Sequence, residues 1–163
     1  MLNFRDKRGV TLVELVAVMA IISILAAVAM PMLKVSVRRA KEMELKRDLR
    51  TIRDGIDAYK RLTDEARIAR EAASTGYPKT LDKLTEVITI TNTTPIPGQN
   101  VSLPSKIRLL RKIPVDPMTG DAEWGMRSNE DDPDSTAWGG QDVFDVYSKS
   151  DGTALDGTKY KDW

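Results

Sequence analysis

The 163-residue chain carries 25 lysines and arginines against 24 aspartates and glutamates, a formal net charge of +1 that points to no nucleic-acid partner. It has no cysteine and no histidine, which excludes disulfides, thiol nucleophiles, thiolate or imidazole metal sites, and every imidazole acid or base. With 41% hydrophobic and 30% charged residues there is material for one modest core. The charge is polarised: residues 34–72 hold 12 basic and 8 acidic groups, whereas residues 121–163 hold 4 and 11. Such a split suits head-to-tail contacts between copies, cation binding at the acidic end, or plain solvated loops.

From Val10 to Leu33 the only charge is Glu14. A helix of that length reaches roughly 36 Å, enough to cross a bilayer. Basic residues flank it on both sides, Arg5, Lys7 and Arg8 before and Lys34, Arg38, Arg39 and Lys41 after, so charge asymmetry gives no orientation. A carboxylate inside such a segment costs roughly 2.5 to 3.5 kcal/mol on insertion scales, so Glu14 requires a partner.

The run Lys7-Arg8-Gly9-Val10-Thr11-Leu12-Val13-Glu14-Leu15 resembles the processing motif of type IV pilin-like precursors. The resemblance implies cleavage by a prepilin peptidase between Gly9 and Val10 and N-methylation of Val10. It also implies that Glu14, the fifth residue of the mature chain, pairs with the amino terminus of a neighbouring subunit, with Thr11 and Pro31 as further assembly positions. Val10 stands where the family most often has phenylalanine or methionine. A carboxylate and an α-ammonium that meet in low dielectric each remove the other's desolvation penalty, so Glu14 favours the assembled state.

Beyond Pro31, apolar residues recur at Leu45, Leu49, Ile52, Ile56, Tyr59 and Leu62, one amphipathic stripe. One helix from about Val10 to Leu62 is predicted, about 80 Å long, kinked by Pro31 and weakened by Gly55. The charged positions between Lys34 and Arg53, Glu42 with Lys46 and Glu44 with Asp48 among them, read as a solvated face. The alanine-rich run from Asp64 to Ala73 predicts a second helix ending at Gly76. Thr80 is placed to cap a short helix through Leu81, Leu84 and Val87, and Thr91–Gly98 reads as a loop in which Asn92-Thr93-Thr94 is a formal sequon.

The stretch Ile113-Pro114-Val115-Asp116-Pro117 is turn-rich, Ala122–Arg127 alternates, and Val143–Ser148 is rich in β-branched and aromatic residues, which predicts a small antiparallel sheet around a long acidic loop, 128–141. The order Ile-Pro-x-Asp-Pro, tryptophan strand, Asp-Val-Tyr-Ser, Gly/Asp-rich tail is similar to major pseudopilins of type II secretion systems. The expected class is α+β with a pilin-like fold: leader 1–9, membrane and filament-core helix 10–33, amphipathic helix 34–62, and globular periplasmic domain 63–163. The tail from Ser148 sets carboxylates among glycines and hydroxyls, a composition able to offer calcium its hard oxygens, though without EF-hand spacing. By the same resemblance Ca2+ is expected there, with Asp151 and Asp156 as ligands and Asp162 and the Ser148 carbonyl as further candidates.

The resemblance thus implies a non-enzymatic subunit, held in the inner membrane by a single span. It polymerises with copies of itself into a periplasmic pseudopilus, with minor pseudopilins and an inner-membrane assembly platform as partners and no nucleic acid. A type IV pilin of a surface fibre is the alternative, although the disulfide-closed tail of many such pilins is impossible here. A membrane-anchored glycosidase built on paired carboxylates has little scaffold for a cleft.

Overall fold

The computed structural model describes residues 9–70, 74–91 and 105–163. The chain divides into two compact units, Met1–Ala40 and Lys41–Trp163. One helix, α1 (Leu12–Asp64), supplies residues to both and contains Pro31 without ending there. In the first unit the large apolar side chains of α1 from Leu12 to Leu33 with described burial, 77% exposed at Leu12 and 62% at Leu33, are all exposed, so this stretch contributes nothing to a core.

The second unit is built on the predicted stripe. Leu45, Leu49, Ile52 and Ile56 are buried in one cluster with Leu81, Leu84, Leu110, Trp124, Val143, Val146, Ala154 and Tyr160, and Tyr59 packs on its edge. Each such side chain contributes roughly 1.5 to 3 kcal/mol when fully buried, so the stripe fixes which face of α1 turns inward. Gly55 lies on that face, where a Cβ would stand 3.3 Å from Leu110 Cγ; the glycine that weakens the helix admits the Leu110 side chain.

The second helix expected from Asp64 to Ala73 is not formed over its described part, residues 65–70. Ala66 takes φ +53°, Arg67 N–H donates to the Leu62 carbonyl at 2.9 Å and Ala66 N–H to Thr63 at 3.0 Å, the paired bonds of a Schellman closure. Burial of Ile68 and Arg67 beyond the turn outweighs the helix propensity of the alanines. Residues 71–73 lie outside the described residues, as do the leader residues before Gly9 and most of the expected 91–98 loop with its sequon.

A four-residue 3-10 helix, Leu81–Leu84, replaces the predicted helix to Val87, and the Thr80 hydroxyl makes no capping bond. Two separate antiparallel pairs stand where one sheet was expected. Strands β1 (Ile88–Thr89) and β2 (Lys106–Ile107) form one, unforeseen because two residues give no periodicity. Strands β3 (Gly125–Arg127) and β4 (Asp145–Tyr147) form the other, in register Gly125 to Tyr147, shorter than predicted but in the predicted order. A Cβ at Gly125 would overlap the Tyr147 ring, so only glycine lets the two strands close. A last 3-10 helix, Tyr160–Asp162, returns the tail to the core through Tyr160. The α+β architecture, a long amino-terminal helix with small antiparallel sheets, agrees with a pilin-like fold.

Candidate processing and assembly site

Gly9, Val10 and Thr11 precede the first residue of α1 in exposed, non-helical chain. The Gly9 to Val10 peptide bond therefore lies where a protease can reach it without unwinding a helix. Gly9 has no positive φ, and a Cβ there would meet nothing within 4 Å among the described residues. Among the described residues nothing packs where a side chain at this position would stand.

Thr11 is the cap of α1. Its Oγ1 accepts the Glu14 N–H at 3.2 Å and its carbonyl accepts the Leu15 N–H at 3.1 Å, which satisfies helix-terminal donors that would otherwise enter an apolar medium bare. The signal was in the sequence as Thr-x-x-Glu, a capping-box spacing. Glu14 thus sits in the first turn, where the helix dipole favours its negative charge. Among the described residues its carboxylate has no ion pair, so any cation that neutralises it comes from elsewhere. Further along, the Ser23 hydroxyl donates to the Met19 carbonyl at 2.7 Å, so the serine needs no water within the apolar stretch. Pro31 is likewise exposed on α1. The structure thus brings Gly9, Val10, Thr11 and Glu14 together at one helix start and leaves Pro31 several turns away.

Two of the residues expected to bind calcium, Ser148 and Asp156, carry side-chain hydrogen bonds. The Ser148 hydroxyl is buried and donates to Asp116 Oδ2 at 2.5 Å. Asp156 Oδ1 accepts the Thr158 N–H at 3.0 Å and its hydroxyl at 2.6 Å, and these bonds hold its carboxyl below the usual carboxylate range. Asp162 borders a recess with Arg127, Lys159 and Lys161, whereas Asp156 borders another with Lys46, Arg50 and Trp163. Among the described residues no group of three or more acidic side chains stands where it could hold a metal ion. Calcium binding at the tail is a proposal carried by composition, with Asp151 and Asp156 as its donors and Asp162 and the Ser148 carbonyl as further candidates.

Several charged residues that read as a solvated face are structural. Glu42 is buried and bonded to the tail through Leu155 N–H and Tyr160 O–H, both at 2.9 Å. Arg53 reaches Asp145 Oδ1 at 2.6 Å, the Val146 carbonyl at 3.0 Å and the Trp163 carbonyl at 2.9 Å, fastening α1 to β4 and the tail. Asp48 is 8% exposed, and burial pushes its carboxyl above the usual range despite Arg47 at 3.7 Å. Stripe positions alone cannot reveal Glu42 and Arg53 as structural, because their partners come from more than 90 residues away.

No curated protein and no solved structure compared with the chain matches it. Residues 4–30 match the prokaryotic N-terminal methylation motif, which overlaps the site just described from Gly9 through Glu14 and the apolar run. The amino terminus therefore carries a type IV pilin-like prepilin signal, which points to a structural subunit rather than an enzyme.

Proposed function

We propose that the chain is the major pseudopilin of a type II secretion system. The first half of α1 anchors it in the inner membrane, with the second unit in the periplasm. After cleavage behind Gly9 and methylation of Val10, copies polymerise into a periplasmic fibre that drives export through an outer-membrane secretin. Minor pseudopilins and an inner-membrane platform are its assembly partners.

The observation that carries this reading is Glu14, set at its fixed offset from Gly9 on an apolar helix with no cation beside it among the described residues. An α-ammonium at Val10 of a neighbouring copy supplies that cation, and exposed apolar residues from Leu12 to Leu33 give the surface along which helices pack.

The test is made in cells that contain a prepilin peptidase. Mass spectrometry of membrane-extracted protein is expected to find a chain beginning at Val10 with one added methyl group. Glu14→Ala is expected to be cleaved and inserted normally yet to form no fibre and support no secretion. An intact Met1 terminus, or normal fibres from Glu14→Ala, defeats the reading. Loss of surface fibres with undiminished export in a deletion strain assigns the subunit to a type IV pilus instead.

A further inference from the structure

The seven residues from Lys106 to Lys112 present four cations to solvent. Lys106, Arg108, Arg111 and Lys112 are exposed, while Ile107 and Leu109 are half-buried and Leu110 is 7% exposed. Among the described residues none of the four has an ion pair or a side-chain hydrogen bond. The neighbouring segment 92–104 contains no acidic residue. The strip is held in place by its backbone: Lys106 pairs with Thr89 and Ile107 with Ile88, Ile90 N–H donates to the Ser105 carbonyl at 2.9 Å, and Leu110 N–H to Leu84 at 2.8 Å.

The loop after β3 has the opposite character. In Glu130-Asp131-Asp132-Pro133-Asp134, Asp131 is spent on the loop itself, its Oδ2 accepting Ser128 N–H at 2.7 Å and Gly139 N–H at 3.0 Å. Ser135 N–H donates to the Asp132 carbonyl at 2.9 Å, Arg127 Nε to the Ser135 carbonyl at 3.0 Å, and the Tyr147 hydroxyl to the Thr136 carbonyl at 3.1 Å. The backbone is thus fixed while Glu130, Asp132 and Asp134 stay exposed. Asp134 borders the recess containing Lys159 and Lys161, so Glu130 and Asp132 carry the outward charge. Among the described residues no ion pair joins this loop to the basic strip.

We infer that the basic strip Lys106–Lys112 of one subunit docks on the acidic loop Glu130–Asp134 of another copy. This rests on the polymerisation reading above and names the contact that reading leaves open. Each patch concentrates one sign of charge, which repels itself in the free subunit, and a chain of net charge +1 supplies both halves of a complementary pair. Both surfaces are ordered before they meet, so association forfeits little conformational freedom. Exposed pairs each change an association constant by roughly 1.5- to 5-fold, so the contact sets register between subunits while the apolar helices supply the adhesion.

The absence of cysteine gives a clean background for cross-linking the full chain in its membrane. Arg111→Cys and Asp132→Cys, expressed together from separate genes, are expected to yield a disulfide-linked dimer on mild oxidation that neither yields alone. Arg108→Glu with Arg111→Glu is expected to reduce fibre mass about tenfold, and Glu130→Lys with Asp132→Lys in the same chain to restore most of it, which also shows that the variant folds. Wild-type fibres with no such cross-link and no response to charge reversal overturn the contact and leave polymerisation standing. Absence of wild-type fibres overturns both.

Discussion

The carboxylate of Glu42 accepts the hydroxyl of Tyr160 at 2.9 Å, joining residues 118 positions apart. The same Oε1 accepts the Leu155 N–H at 2.9 Å, so one side chain of α1 clasps the tail at two points. Glu42→Ala leaves both donors short of their acceptor and is expected to cost about 1 to 3 kcal/mol, while Tyr160→Phe removes one bond and costs about 0.5 to 1.5 kcal/mol. Denaturant unfolding of the full chain in detergent measures both. Equal, negligible losses would show that the clasp contributes nothing.

Gly9→Ala separates processing from folding. With no neighbour within 4 Å among the described residues and no positive φ, the substitution is expected to change stability by less than about 0.5 kcal/mol. Terminal sequencing is expected to find residues 1–9 still attached. A destabilised Gly9→Ala chain would mean that the glycine serves the fold.

The acid dependence divides between two kinds of carboxylate. Backbone donors at Ser128 and Gly139 hold Asp131 low, and the Thr158 hydroxyl and N–H hold Asp156 low. A folded pKa below the unfolded value gives stability that is present above about pH 4 and lost as pH falls through the folded pKa. Asp48 has the reverse sign: burial raises its folded pKa, so its ionised form costs stability once pH exceeds that value. Asp131→Asn is therefore expected to lower the melting temperature at pH 7 by an amount that shrinks as pH falls below about 4 and through the folded pKa, and Asp48→Asn to raise it at pH 7 with the gain vanishing at low pH. The same sign for both variants at pH 7 would refute the assignment.

Both Thr158 bonds end on Asp156 Oδ1, so calcium binding by the tail would use its Oδ2 together with Asp151 and carbonyl oxygens. Millimolar calcium is expected to raise the melting temperature, since stabilisation by an ion bound only to the folded chain follows RT ln(1 + [L]/Kd). Asp151→Ala is expected to abolish the response. Identical melting curves with calcium and with chelator would remove the ion from the tail.

The half of the fold that obeys a short period could be read in advance. Leu45, Leu49, Ile52 and Ile56 declared the buried face of α1, and the strand pair around Met126 and Val146 followed from alternation and β-branching. What stayed hidden depends on residues remote in sequence. Asp64–Arg70 has helical composition, yet Ala66 turns left-handed so that Ile68 can be buried. Glu42 and Arg53 have the look of surface charges until Tyr160 and Asp145 arrive. At the processing site the residues are legible individually, and the Thr11 cap lies at capping-box spacing from Glu14, whose N–H its hydroxyl accepts.

The apolar stripe of α1 has a consequence for the timing of biosynthesis. Of its partners, Leu81, Leu84 and Leu110 are made first and Trp124, Val143, Val146, Ala154 and Tyr160 follow, so the stripe is only partly covered until residue 160 has been made. Closure of the core waits for nearly the whole polypeptide, a high contact order that slows folding and exposes sticky intermediates.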